Sequence, residues 1–263
     1  MSKLRIGITG QSGFVGTHLY NELGLRPDVF QRVAFEDAFF DDERAMSAFV
    51  KQCDVIVHLA AVNRCDDPEV LYRINVDLVQ KLTDTLEKER VYPHVLFSSS
   101  IQESYDNHYG KSKLRGREIL NEWANKNNAS FTGLVIPNVF GPFCRPNYNS
   151  FIATFASKIV NGDEPVVIND SSVKLIYVSN LCRQIIMRIN NVAREETKSI
   201  NDFSVPYDFE KKVTEILSIF TSYRDQYLNR GIIPSMRDDN ERNLFNTFRS
   251  YISFDTHYPV MMK

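Results

Sequence analysis

Leu4-Arg5-Ile6-Gly7-Ile8-Thr9 running into Gly10-Gln11-Ser12-Gly13-Phe14-Val15-Gly16 decides the fold: an apolar strand passes without a spacer into a glycine-rich turn that opens a helix. The glycines follow G-x-x-G-x-x-G, a variant of the dinucleotide-binding fingerprint. In that pattern Gly10 permits the tight strand-to-helix turn, Gly13 lets the backbone approach a pyrophosphate, and Gly16 lets the helix pack on the sheet. The first amides of the helix then face the phosphates. The strand and helix that the motif requires stand on either side of it, which lowers the risk of a chance match.

Working outward, strand and helix signals alternate to about residue 140. Asp28 to Phe35 holds a second strand, Asp41 to Lys51 a helix, and Asp54 to Ala61 a strand ending in small residues. A helix runs from Pro68 to Arg90, with Ile74, Leu78 and Leu82 at four-residue spacing. Val95-Leu96-Phe97 is the next strand and ends in Ser98-Ser99-Ser100; a helix over 109–126 and a strand over 131–136 follow. This rhythm predicts an α/β fold: a Rossmann-like, doubly wound parallel sheet with helices on both faces. Ligand groups should gather at the carboxyl ends of the strands, where the glycine loop, Ala60-Ala61, the serine run and Asn138 fall. From Pro142 the rhythm changes to a loop, a helix over 151–160, short strands over 165–168 and 174–178, and mainly helical sequence such as Glu210 to Tyr223 and Asp238 to Ser250. The expected organisation is a nucleotide-binding domain over 1–142 and a smaller mixed α/β lobe over 143–263.

Composition narrows the ligand. The chain has 263 residues, 43% apolar, with 31 basic and 33 acidic side chains, and no long run of one charge. It is large enough for a real core and offers no nucleic-acid or membrane surface, so the expected ligand is a small molecule. Cys53, Cys65, Cys144 and Cys182 form no C-x-x-C pair and no histidine stands at metal-ligand spacing, so reduced thiols and no metal site are expected. Without a signal peptide or a stretch of ~20 apolar residues, the expected location is the cytoplasm.

Tyr109-Gly110-Lys111-Ser112-Lys113 is the second constellation. Residues four apart share a helix face, so Tyr109 and Lys113 can point together, and a neighbouring ammonium favours ionisation of a phenol. The same spacing recurs at Tyr207 and Lys211. Only Tyr109 follows a serine-bearing strand, and Tyr207 reads as an ordinary residue of an amphipathic helix. His58, ending a strand, is more often a packed core residue than a catalyst. Ser98 and Ser99 read as capping backbone groups, which leaves Ser100 by position. Asn147 and Asn149 suit a turn as well as a ligand contact.

These motifs, with His58-Leu59-Ala60-Ala61, Asn75-Val76 and Pro137-Asn138-Val139-Phe140-Gly141-Pro142, resemble the extended short-chain dehydrogenase/reductases that act on nucleotide sugars. Val62-Asn63-Arg64, Ser98 to Gln102, the stretch 144–155 and Tyr258-Pro259 are similar to the reductase half of CapF/WbjC-type capsule and O-antigen enzymes. The resemblance implies Tyr109 as general acid, Lys113 as holder of the nicotinamide ribose and modulator of Tyr109, and Ser100 as hydrogen-bond donor to the reacting sugar oxygen. It further implies a pyrophosphate cradle of Gly10, Gly13, Phe14, Val15 and Gly16, a cofactor wall of Leu59, Ala60 and Ala61, and sugar-nucleotide contacts from Asn138, Arg145, Asn147 and Asn149. Relatives often carry arginine where Val135 stands, and an aspartate pair where Ser179-Asn180 stands. CapF-type enzymes continue into a metal-binding cupin that epimerises the sugar, so this sequence, stopping at Lys263, reads as a stand-alone reductase or a fragment, with a separate epimerase as a conceivable partner and a homodimer as the expected assembly.

The leading function is thus NAD(P)H-dependent reduction of the 4-keto group of a UDP-linked deoxy amino sugar. A 4-epimerase is the alternative enzyme, and a nucleotide-binding scaffold or inactive fragment the alternative without activity. A 4,6-dehydratase is disfavoured because Ile101-Gln102 replace the Asp-Glu pair that such relatives carry. For the cofactor, Phe35-Glu36-Asp37-Ala38 closes the second strand where NADP-preferring relatives place arginine. A carboxylate there, Glu36, would accept from a ribose 2′-OH and repel a phosphate, favouring NAD(H) unless Arg32 reaches the site.

Overall fold

A computed structural model describes residues 3–192 and 198–253; Tyr258-Pro259 lie outside the described residues. Two compact units are present, one of Met1–Ile136 with Ser179–Val205, the other of Pro137–Val178 with Pro206–Lys263. The first unit therefore draws on a segment from beyond residue 143.

That unit is built on six parallel strands: β1 (Leu4–Thr9), β2 (Phe30–Val33), β3 (Val55–His58), β4 (His94–Ser100), β5 (Phe131–Ile136) and β8 (Ile200–Ser204), in the order β2-β1-β3-β4-β5-β8. The direction of winding reverses between β1 and β3, which makes the carboxyl ends of these two strands the topological switch point. The expected parallel sheet is present, with β2, read over 28–35, shortened to its middle. The strand ending in serines takes them in fully, and Ser98, Ser99 and Ser100 pair with Leu134, Val135 and Ile136. β8 is a strand that the sequence reading left out.

Helix α1 (Phe14–Gly24) follows the glycine turn; α2 (Glu43–Gln52), α3 (Pro68–Glu89) and α4 (His108–Asn127) follow β2, β3 and β4, and α6 (Val178–Val192) precedes β8. Each helix of the middle group begins at a side-chain cap: Asp42 for α2, Asp67 ahead of Pro68 for α3, Asn107 for α4. Such caps satisfy the amides that a helix start leaves unpaired. Phe49 of α2, Leu82 and Leu86 of α3 and Trp123 of α4 close over Ile56, Val95, Phe97 and Phe131 in one apolar cluster. Ile6 and Ile8 of β1, buried outside that cluster, belong to the opposite face by strand alternation.

The second unit has a three-stranded sheet, β6 (Asn138–Phe140), β7 (Ser172–Tyr177) and β9 (Phe209–Lys212), in which β6 and β7 are parallel and β7 and β9 antiparallel. Helices α5 (Phe151–Asn161), α7 (Val213–Tyr223) and α8 (Asp239–Arg249) bury Ile152, Ile159, Ile216, Phe220, Leu244 and Phe248 in a core of their own. The strand expected at 165–168 is absent, and Val166 and Ile168 stand 74% and 97% exposed. The helix expected from 210 begins at 213, after β9. Among the described residues no helix is long and apolar enough to cross a membrane.

Candidate functional site

At the switch point the chain turns from β1 through Gly10, whose φ of 70° is left-handed. The amide of Gly13 donates to Gly10 O at 3.0 Å, closing the loop. A Cβ at Gly10 would lie 2.8 Å from the backbone of Ala60, and one at Gly16 2.2 Å from Gly10 O. Side chains are thus excluded from the loop at both places. α1 begins after Gly13 with no side-chain cap, unlike α2, α3 and α4, and with no acid in its first turn, unlike α2 and α3. A helix start of that kind, with bare backbone and unclaimed amide donors, suits a diphosphate. Leu59 and Ala60 join it from β3: Leu59 N donates to Thr9 O at 3.1 Å and Ala60 N to Thr9 Oγ1 at 3.4 Å. The structure therefore brings together Gly10, Gly13, Phe14, Val15, Gly16, Leu59 and Ala60, with Ala61 next in chain.

The carboxylate beside this loop is Asp37, whose Oδ2 accepts from Ser12 Oγ at 3.0 Å. Glu36, the carboxylate favoured from the sequence, precedes it as exposed, extended backbone leading into a 3₁₀ turn over Asp37–Asp41. Arg32 is engaged elsewhere: its guanidinium lies 4.1 Å over the Tyr20 ring and Nη1 donates to Tyr20 O at 3.2 Å.

The second cluster sits where β4 ends and α4 begins. Asn107 Oδ1 accepts from Gly110 N at 2.7 Å, which starts the helix so that Tyr109 lies in its first turn and Lys113 one turn on. Lys113 is buried, its Nζ 5.7 Å from the Tyr109 ring centroid and 5.1 Å from that of Phe97. It donates to Ser98 Oγ at 3.4 Å. Burial pushes its pKa down to about 8, partly opposed by the Glu103 carboxylate.

The serines divide their work differently from the expectation. Ser98 Oγ donates to His58 O at 3.2 Å, so it does engage backbone, but it also receives Lys113. Ser99 bonds a side chain, Glu103. Ser100 Oγ accepts from Gln102 N at 3.1 Å, which fixes its oxygen and leaves the O–H to donate. The turn over Ile101–Ser104 that follows packs tightly on α4, since a Cβ at Gly110 would fall 2.0 Å from Gln102 O.

His58 is a core residue. It is fully buried, its Nδ1 is 2.8 Å from Thr9 Oγ1, and its ring stacks on Phe97 at 5.8 Å. Burial, and the nearby Lys113 charge, hold its pKa at about 3, which keeps it neutral. Asn75 is buried too and joins the loop after β3 to α4: it accepts from Val62 N at 2.7 Å and donates to Val62 O at 2.9 Å and Ser112 Oγ at 3.1 Å.

The remaining residues lie in the second unit. Asn138 opens β6 and donates to Lys174 O at 3.4 Å. Arg145 is exposed and stacks on Tyr148 at 5.4 Å, Asn147 is left-handed at φ 55° with its amide donating to Thr154 Oγ1 at 2.9 Å, and Asn149 is exposed. Turn geometry is therefore part of what Asn147 does. Tyr207 is not helical; it lies 47% exposed in the segment before β9, under Lys174 Nζ at 5.2 Å. The Tyr207–Lys211 spacing consequently does not place the two on one helix face.

Comparison with known proteins adds the following. A model described as the NAD dependent epimerase/dehydratase family matches residues 6–201. The chain is 29% identical over 267 residues to a UDP-2-acetamido-2,6-beta-L-arabino-hexul-4-ose reductase of Pseudomonas aeruginosa, covering 98% of this chain and 68% of that one. It is 28% identical over 214 residues to an N-acetyl-alpha-D-glucosaminyl-diphospho-ditrans,octacis-undecaprenol 4-epimerase of Escherichia coli O157:H7, covering 71% of this chain and 63% of that one. Among solved structures, the capsular polysaccharide assembling protein CapF of Staphylococcus aureus superposes with a TM-score of 0.78 at 32% identity, covering 99% of this chain and 68% of that one.

Proposed function

The chain belongs to the NAD dependent epimerase/dehydratase family, and from that premise we propose that it reduces the 4-keto group of a UDP-linked deoxy amino sugar, using a reduced nicotinamide cofactor, in the supply of capsule or O-antigen precursors. The observation that carries the reading is Lys113. Its amine is buried at the foot of α4, 5.7 Å from the Tyr109 ring centroid and donating to Ser98 Oγ at 3.4 Å, and burial lowers its pKa to about 8. A buried amine of that kind, next to a tyrosine and a serine-bearing strand end, is the mark of a working site more than of packing.

The glycine loop, with Gly10, Gly13 and Gly16, would hold a reduced nicotinamide cofactor, whose chemistry when bound would be hydride donation. Tyr109 gives its phenolic proton to the oxygen that becomes the new hydroxyl. Lys113, as an ammonium, stabilises the phenolate left behind. Ser100, its oxygen already tied to Gln102 N, donates its proton in a hydrogen bond to the same sugar oxygen and so favours the charge developing there. Ser98 anchors the ammonium from the strand side. Asn138, Arg145, Asn147 and Asn149 are assigned to the sugar nucleotide. Asp37, beside Ser12 of the glycine loop, favours NAD(H), because a carboxylate accepts from a free 2′-hydroxyl and repels a 2′-phosphate.

The reading is tested with a UDP-4-keto-6-deoxy-HexNAc and reduced cofactor, following cofactor absorbance and the proton couplings of the product ring. Cofactor oxidation with change at C4 alone is expected. Tyr109→Phe should abolish turnover and keep cofactor affinity, while Tyr207→Phe stays near wild type. Equal losses in the two variants would show that the wrong tyrosine was chosen. Tightly held NAD(H) carried through purification, with C4 inversion of a UDP-sugar and no net oxidation, would favour the epimerase instead.

A further inference from the structure

Glu103 and Arg117 form a paired network that none of the roles above uses. Arg117 lies on α4 one turn beyond Lys113. Its Nε donates to Glu103 Oε1 at 3.0 Å and Oε2 at 3.1 Å, and its Nη2 to Oε2 at 2.8 Å. Ser99 donates to the same carboxylate from β4. On the far side Nη1 of Arg117 reaches Asp202 Oδ2 on β8 at 2.6 Å. The guanidinium can cross β5 to get there because residue 133 is glycine: a Cβ at that place would lie 2.8 Å from Arg117 Cδ and 2.4 Å from Asp202 Oδ1. The Glu103 and Arg117 side chains are only 11% and 22% exposed. Such a forked pair has fixed geometry, unlike a mobile surface ion pair.

Its position gives it a task. Glu103 belongs to the turn that leaves Ser100, and Arg117 belongs to the helix that carries Tyr109 and Lys113. We propose that Glu103 and Arg117 are a positioning pair, which locks the Ile101–Ser104 turn to α4 and thereby fixes the Ser100 hydroxyl relative to Tyr109 and Lys113. This rests on the reductase reading for the roles of those three residues. The Glu103 carboxylate also serves as counter-charge to Lys113, opposing the burial that lowers its proton affinity. The groups facing Lys113 are Ser98 and Phe97 on β4, Tyr109 on its own helix, His58 on β3 and Glu103 on the turn; of these Glu103 is the acid. Neither Glu103 nor Arg117 touches substrate in this scheme, so neither is a catalytic residue.

The test compares wild type, Glu103→Gln and the double variant Glu103→Gln/Arg117→Gln. In Glu103→Gln the Arg117 guanidinium keeps Asp202 as its counter-charge, and in the double variant the Asp202 carboxylate, whose side chain is 47% exposed, is left to solvent, so neither variant buries an unpaired charge. Lys113 is followed by ¹³Cε-lysine NMR as pH is raised, and the 101–104 amides by hydrogen exchange; both are read without substrate. Loss of the carboxylate should lower the Lys113 titration midpoint by about half a pH unit or more and speed exchange across the turn. With the 4-keto sugar, kcat should fall ~10-fold or more at unchanged cofactor KM, and the alkaline limb of kcat should move to lower pH. An unmoved Lys113 midpoint, or a loss of stability with kcat intact per folded molecule, overturns the proposal and leaves the pair purely structural. If wild type reduces no 4-keto sugar, the reductase reading fails, and the pair stands or falls on the NMR midpoint and the exchange rates.

Discussion

Lowering the pH from 7.5 to 5.0 should destabilise the first unit by about 4 kcal/mol, and two buried histidines are the reason. His58 is held at about 3 by burial and the Lys113 charge, and His94 at about 4 by burial. His94 Nε2 stands 3.0 Å from Thr132 Oγ1 under the sheet. In the unfolded chain both return to about 6.5. The folded pKa values are depressed, so the unfolded state takes up protons first. The neutral histidines are tolerated in full above 6.5, and stability is lost as pH falls below that value. At pH 5.0 the unfolded ring has gained 6.5 minus 5.0, about 1.5 units, of protonation free energy; at ~1.4 kcal/mol per unit this is ~2 kcal/mol for each histidine. Stopping at pH 5.0 keeps carboxylates such as Asp54, whose ordinary value is 3.8, out of the window. A total of ~4 kcal/mol is a large part of a domain stability of 5–15 kcal/mol, a typical range. The assay is urea unfolding followed by the fluorescence of Trp123, the sole tryptophan of the chain, which is buried at 3% exposure in this unit. The pair His94→Leu/Thr132→Val, which removes both hydrogen-bonding partners together, should roughly halve the pH effect. A change below ~1 kcal/mol between the two pH values would refute the reasoning, because His58 would then be protonated in the folded state and open to acid–base duty.

Two shorter predictions concern the loop and the turn. NADH should bind about tenfold more tightly than NADPH, Asp37→Asn should narrow the gap, and Arg32→Ala should leave NADPH binding unaltered since that guanidinium is committed to Tyr20; fluorescence titration of both cofactors decides it, and tighter NADPH binding lost in Arg32→Ala would reverse the assignment. Gly110→Ala should cost ~10-fold or more in kcat, because its Cβ would displace the Gln102 carbonyl and with it the Ser100 turn, while circular dichroism shows the helices retained; wild-type kcat in that variant would remove the turn from the mechanism.

What was legible in the sequence is what short-range pattern encodes. The strand–glycine–helix unit, the alternation through β5 and the Tyr109–Lys113 face are all set within a few residues, and the structure has them at the expected places. The errors follow from the same limit. Val166 and Ile168 belong to an apolar run that reads as a strand, yet it finds no ladder partner and stays exposed. β8 and β9 carry polar, half-exposed sequences, Ile-Asn-Asp-Phe-Ser and Phe-Glu-Lys-Lys, and their strand character comes from pairing with β5 and β7 rather than from any periodicity of their own. Propensity is overridden in such segments by the edge that a sheet offers.

The same argument separates the site residues that were found from those that were missed. Tyr109 and Lys113 stand four apart and declare a common face, whereas the carboxylates that hold Arg117 stand 14 and 85 residues away in sequence. No spacing rule could join them. Yet the ingredients were visible singly: an acid three residues past Ser100, an arginine one turn past Lys113, and a glycine within a strand, a residue that often marks close approach of another group. The chain brings Arg117 from α4 over Gly133 and secures it between Glu103 and Asp202. The geometry assigns the support of the Ser100 strand end to a helix instead of the strand. Its rigidity therefore depends on a segment, β8, that lies some 65 residues beyond β5 in the chain and joins the same compact unit. Loss of that edge strand would release Asp202, then Arg117, and through Glu103 the turn that holds Ser100, so the integrity of the reacting end of the sheet is decided at its far edge.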